Sequence, residues 1–125
     1  VSTDKIGVAR IAGGIQRLEI EVTREGYSPQ VVVMERGVPA EWAFRVRDLT
    51  EENYRIVFPT YQARLELEKG DNVVTLTPEA DFYFSSWKGG LHGYVRVVDD
   101  LASVRAKDVR EYVRRRMEPP SLPSL

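Results

Sequence analysis

Apolar and polar positions alternate along most of this chain, most clearly from Phe82 to Val98. Phe82, Phe84 and Ser86 share one parity, with Tyr83, Ser85 and Trp87 on the other. Beyond Lys88-Gly89-Gly90, Leu91, Gly93, Val95 and Val97 alternate with His92, Tyr94, Arg96 and Val98. A period of two sends successive side chains to opposite faces of a strand, so the pattern predicts two adjacent antiparallel strands joined by a short loop. Gln16 to Thr23 repeats it, with Leu18, Ile20 and Val22 inward and Arg17, Glu19 and Glu21 outward. Ala40 to Arg47 does so again, with Ala40, Trp42, Phe44 and Val46 inward and Trp42 as the candidate centre of the core. Val31-Val32-Val33-Met34 is uninterrupted, as expected of a strand covered on both faces. Tyr54–Pro59, Gln62–Leu67 and Asn72–Thr77 read as further strands, the last two flanking the hairpin-like turn Glu68-Lys69-Gly70-Asp71. Glu25–Pro29 and Arg36–Pro39 supply turn chemistry.

The period changes after Asp99. Ala102, Ala106, Val109, Val113 and Met117 recur in steps of three and four, an amphipathic helical stripe with Tyr112 beside it. Asp99 or Asp100 is placed to cap its start, and Pro119, Pro120 and Pro123 end it. The helix carries Arg105, Lys107, Arg110, Arg114, Arg115 and Arg116 against Asp108, Glu111 and Glu118, so it is cationic while the rest of the chain is acidic. The expected organisation is an N-terminal arm over 1–14, serving as a loose arm or as an edge strand; a β-sandwich over 15–100; an amphipathic helix over 101–118; and a flexible tail over 119–125. The fold class is all-β, a Greek-key sandwich of seven or eight strands with one C-terminal helix.

Composition narrows the chemistry. With 125 residues the chain suits one domain with a real core. A net charge of −1 argues against general nucleic-acid binding, and no apolar run approaches the ~20 residues that cross a bilayer. There is no Cys and a single His. A blue-copper centre needs two imidazoles and a thiolate, so inventory excludes it. Ser85 and Ser86 lie within a strand rather than on a glycine-flanked elbow, and parity separates Ser86 from His92, so no catalytic residue is assigned. Asp48, Glu51 and Glu52 gather in one acidic loop, read as solvated, with a weak cation site as the alternative. Met34 and Met117 read as packing residues.

The strand–loop–strand of Phe82 to Val97 resembles the closing strand pair of cupredoxins, in which aromatic-x-Phe-x-Cys opens a loop ending in Met-x-Gly-x-Val-x-Val. Gly26-Tyr27-Ser28-Pro29, the apolar run after it and Gly37-Val38-Pro39 resemble small extracytoplasmic members, and Ile56-Val57-Phe58 resembles the segment that brings their first histidine ligand. The resemblance covers Gln16 to Asp99. It implies that Tyr54, Ser86 and Leu91 stand at former ligand positions, with Asn53 or Glu52 replacing Tyr54 if the register slips. Tyr54 and Ser86 are then expected to pack or hydrogen-bond together.

The resulting expectation is a copper-free cupredoxin-like binding or assembly module without enzymatic activity, periplasmic or at the cell surface and part of an extracytoplasmic or membrane-associated complex. Its partner is a protein, a membrane complex or a second copy, with no nucleic acid and no membrane span. The start at Val1 fits a processed form or excised domain, anchored through a segment outside this chain. Trp87 and Lys88 on the loop, and Arg110 and Arg114 on the helix, are the candidate contact residues. Trp87 reads equally as a structural residue at the loop base, and the helix as one packed across a sheet. The alternative is an extracytoplasmic copper-handling domain that binds the metal weakly through His92, with Glu52. Parity points His92 away from the lost site.

Overall fold

The computed structural model describes residues 6–117. Residues 1–5 of the expected arm, residue 118 of the expected helix and the whole expected tail, 119–125, lie outside it. Among the described residues, eleven strands form two sheets. The first sheet orders β1 (Ile6–Val8), β5 (Val31–Glu35), β11 (His92–Val98), β10 (Phe82–Ser86), β7 (Arg55–Phe58) and β8 (Ala63–Glu66). The second orders β2 (Arg10–Ala12), β3 (Ile15–Thr23), β6 (Ala40–Val46) and β9 (Gly70–Leu76), with β4 (Gly26–Ser28) also paired to β3. The three extra strands beyond eight, β1, β2 and β4, are three residues each.

Residues 6–12 take the edge-strand alternative, in both sheets. β1 runs parallel to β5, and β2 runs antiparallel to β3. Buried Ala9 carries the chain from one sheet to the other. Gly13 and Gly14, both at positive φ, make the tight turn into β3.

The alternation places the core between the sheets. Trp42 and Phe44 from β6 meet Phe58, Phe82 and Phe84 from the facing sheet, all nearly or fully excluded from water. Trp42 and Phe84 meet edge-on at 5.0 Å between ring centroids, an arrangement favoured by ring quadrupoles. Gln16, like Asn53 and Ser86, is polar and buried. Its amide donates to the Glu35 and Val38 carbonyls at 2.8 and 2.9 Å and accepts from the Glu35 N–H at 2.8 Å, which fixes the β5–β6 turn against β3.

The C-terminal helix differs from the expected span. Asp100 caps only a short 3-10 turn, Leu101–Ser103, by accepting from the Ala102 N–H and the Ser103 hydroxyl. Val104 is extended, and α1 runs Ala106–Met117. The break resets the helical phase, so Ala102 and Ala106 are exposed rather than part of a buried stripe. Val109 and Val113, one turn apart, are the buried pair, packed on Val31, Val33 and Tyr94. β5 is therefore apolar on both faces because the core covers Val32 and Met34 and the helix covers Val31 and Val33.

Candidate functional site

Three segments meet at one end of the sandwich: 24–30, which includes β4, the 48–54 loop and the β10–β11 connection, 87–91. Asn53 builds the middle one. Fully buried, it accepts from the Thr50 N–H at 2.8 Å and donates to the Asp48 and Thr23 carbonyls at 2.7 and 3.2 Å. The Thr50 hydroxyl in turn accepts from the Asn53 N–H at 3.0 Å. This reciprocal clasp ties the loop to the end of β3 and orients the residues on either side of Asn53.

Ser86 ends β10, almost fully buried, and its Oγ accepts the Leu91 N–H at 3.0 Å. With Ser86 N–H donating to the Leu91 carbonyl at 2.9 Å, the loop is closed by two bonds across its base. Gly89 sits at positive φ, where the tight turn requires glycine. Leu91 packs against the core.

Ser86 does not bond to Tyr54. Its cross-strand partner is Ile56, and the Tyr54 ring meets Trp87 instead, at 5.8 Å. The residue that reaches under the loop is Glu52: a Cβ at Gly90 would collide with its carboxylate. The Asn53 side chain is committed to the clasp, and it is the Glu52 carboxylate that lies against Gly90. Glu52 Oε2 and the Tyr27 hydroxyl are both buried without a hydrogen-bond partner. Burial, and then the nearby Glu52 charge, push the Tyr27 hydroxyl well above its usual pKa.

The corner thus gathers a carboxylate, a phenol, a committed serine hydroxyl and a leucine. This donor set does not fit copper, which a soft thiolate and imidazoles would hold. His92 opens β11 on the exposed side, opposite Ser85, with the helix-bearing face of that sheet on its parity. Glu51 points to solvent and pairs with Lys88 at 3.4 Å. Among the described residues, no three His, Asp or Glu side chains are grouped to hold a metal ion.

Trp87 is clipped across the two loops. Its indole N–H donates to the Glu51 carbonyl at 2.8 Å, yet the side chain stays 39% exposed, with Lys88 and Arg55 near its ring. It is at once a loop-base residue and a surface aromatic. On the helix, Arg114 is tied to Glu111 at 2.9 Å, and Arg110 is half-buried. Tyr112 is held between Arg96 and Arg116, at 3.9 and 3.4 Å from ring to guanidinium, locking the helix to β11.

Sequence reasoning missed Tyr27 as a member of the corner and Asp81 as a hub. Asp81 accepts from the Tyr94 hydroxyl at 2.7 Å, the Val97 N–H at 2.8 Å and Arg96 at 3.1 Å. Neither carries a local signal, because a Tyr in a turn and an Asp before a strand look like ordinary loop residues.

No protein-family model and no curated protein matches the chain. Solved structures do. The metal-binding domain of the Cu(I)-exporting P-type ATPase CopA of Streptococcus pneumoniae D39, determined with Cu(I), is 25% identical with a TM-score of 0.70, over 75% of this chain and 96% of that one. A copper binding protein determined in its apo form is 30% identical with a TM-score of 0.70, over 78% of this chain and 100% of that one. Reduced auracyanin of the photosynthetic bacterium Roseiflexus castenholzii is 15% identical with a TM-score of 0.52, over 66% and 96%.

Proposed function

The chain has a cupredoxin-like fold, and from that premise we propose that it is a copper-free binding module outside the cytoplasm, using the Trp87-Lys88 loop to meet a protein partner. The observation that carries this reading is the bond from the Leu91 N–H to Ser86 Oγ at 3.0 Å. A hydroxyl engaged with the backbone closes the loop with no metal needed to hold it. Glu52 fills the space left by Gly90, a hard oxygen donor where copper calls for soft ones. A loop closed in this way presents Trp87 and Lys88 on a rigid base, and a partly exposed Trp is a common anchor in protein interfaces.

The second reading is copper handling, favoured by the two 25–30% identical structures, both described as copper binding. One measurement separates them. Protein purified from copper-supplemented cells and dialysed is expected to hold only traces of copper and to show no copper-dependent absorbance. A full equivalent retained, or a Cu(II) affinity abolished by His92→Ala, overturns the first reading in favour of the second. For the binding role, the wild type, Trp87→Ala and Lys88→Glu are compared in co-purification from the native cell envelope. The variants are expected to lose a defined partner while keeping their melting temperature. Unchanged association in both, or a chain found in the cytoplasmic fraction, removes the proposal.

A further inference from the structure

The sheet edges of this sandwich are not equally protected. An unpaired edge offers a row of N–H and C=O groups to another strand, and proteins blunt such edges by shortness, charge, proline or a bulge. β1 and β2 are three residues each, and β2 opens with Arg10. β8 has four residues and carries Arg64 and Glu66. β9 ends its sheet with seven residues, Gly70–Leu76, and no strand pairs with its free side among the described residues. From Asn72 to Leu76 it has no charge and no proline, and Val73 stands 59% exposed on the outer face.

We infer that β9 is a self-association edge, and that its occupant is β9 of a second copy of this chain, antiparallel about a dyad at Val73. The register follows from symmetry. A two-fold axis perpendicular to the sheet must pass through one residue, so that facing side chains share a face. Placing it at Val73, the middle of the strand, pairs all seven residues. Val73 meets the partner's Val73, and Ala43 beside each extends the apolar strip across both copies.

The charges agree with this register. Arg17, Glu41 and Thr75 form one row across β3, β6 and β9, and Glu21, Arg45 and Asp71 form another. The dyad sets Thr75 opposite the partner's Asp71, a hydroxyl donor facing a carboxylate, and no like charges meet across the seam. Opposite-charge and hydroxyl pairs across strands stabilise a ladder, and like charges oppose it. A seam of seven residues a side is small beside the ~1,200–2,000 Å² of stable interfaces. Association is therefore reversible and concentration-dependent. It rests on β9 alone and stands whether or not the Trp87 loop binds a partner.

Sedimentation equilibrium of the full chain from micromolar to millimolar concentration tests it, with Val73→Lys and Val73→Glu as variants. Val73 is exposed, so both are expected to keep the wild-type melting temperature. The wild type is expected to dimerise, and each variant alone to show a dissociation constant raised at least about tenfold, since like charges then face each other at the dyad. Mixing the two variants is expected to restore association as a heterodimer. A wild type that stays monomeric throughout, a Val73→Lys protein that dimerises like wild type, or a mixture that fails to associate overturns the inference.

Discussion

Gly93 stands opposite Phe84 across β10 and β11, and a Cβ there would run into the Phe84 ring. The ring has nowhere to go, because Tyr27 and Trp42 hold it at 4.9 and 5.0 Å between centroids. Gly93→Ala is therefore expected to destabilise the domain by ~1–3 kcal/mol, the usual cost of overpacking a filled core. Urea denaturation reads it as a lower midpoint at unchanged slope. Ser86→Ala removes the acceptor for the Leu91 N–H instead. It is expected to cost about 1–3 kcal/mol, a buried donor left unpartnered, and Ser86→Thr, which keeps the hydroxyl, to cost less. Equal losses in the two variants would show that packing, rather than the hydroxyl, closes the loop. At this scale parity was the legible signal: it separates buried Phe84 and Ser86 from exposed Tyr83 and His92. It did not reveal which residue of Glu52-Asn53-Tyr54 enters the corner, because three consecutive loop residues have no period.

At the scale of elements, β5 and α1 explain each other. An apolar strand with Val31 and Val33 facing away from the core demands a cover, and α1 supplies it with Val109 and Val113. The helix is twelve residues long, marginal in isolation, so its stability comes from this docking. Val113→Ala is expected to lower domain stability by about 2 kcal/mol, as for other deletions of two buried methyl groups. It is also expected to speed proteolysis in the 101–105 connection before the strands are attacked. A protein as stable and protease-resistant as wild type would mean that the helix contributes little to the sheet. The helical period was legible from Val109 onward. The break at Val104 was not, because Ala102 and Ala106 continue the spacing by coincidence, and the extended Val104 interrupts it.

For the molecule as a whole, the first sheet is joined to the helix through a polar knot: Asp81, Tyr94, Arg96 and Tyr112. Burial, and then its hydrogen bond to Asp81, raise the Tyr94 hydroxyl well above its ordinary pKa. Tyr27 is raised in the same direction at the opposite corner. A tyrosine ionises by losing a proton, so a raised folded-state pKa means that the folded form holds the proton more tightly than the unfolded chain. The stability linked to these groups is fully present below about pH 10, the unfolded value, and is lost as pH rises through the folded-state values. Stability is expected to fall steeply in that alkaline window, with tyrosinate absorbance lagging behind that of a free tyrosine until unfolding. Tyr94→Phe is expected to be less stable at neutral pH and less sensitive to alkali. An unchanged alkaline slope would remove Tyr94 as its source.

The sequence by itself determined the eight longer strands, their buried parity and the fold class, since a period of two and glycine-bearing turns are local and repeat along the chain. It also excluded a thiolate copper centre, because composition sets which ligands exist. Only the tertiary structure decided that the Glu52 carboxylate reaches under Gly90, near enough for Tyr27 to feel its charge, that residues 6–12 pair with both sheets, and that β9 is left as a long edge, uncharged from Asn72 to Leu76. These are facts about which distant segments become neighbours. They arise from the packing of two sheets and one helix, and no local period encodes them.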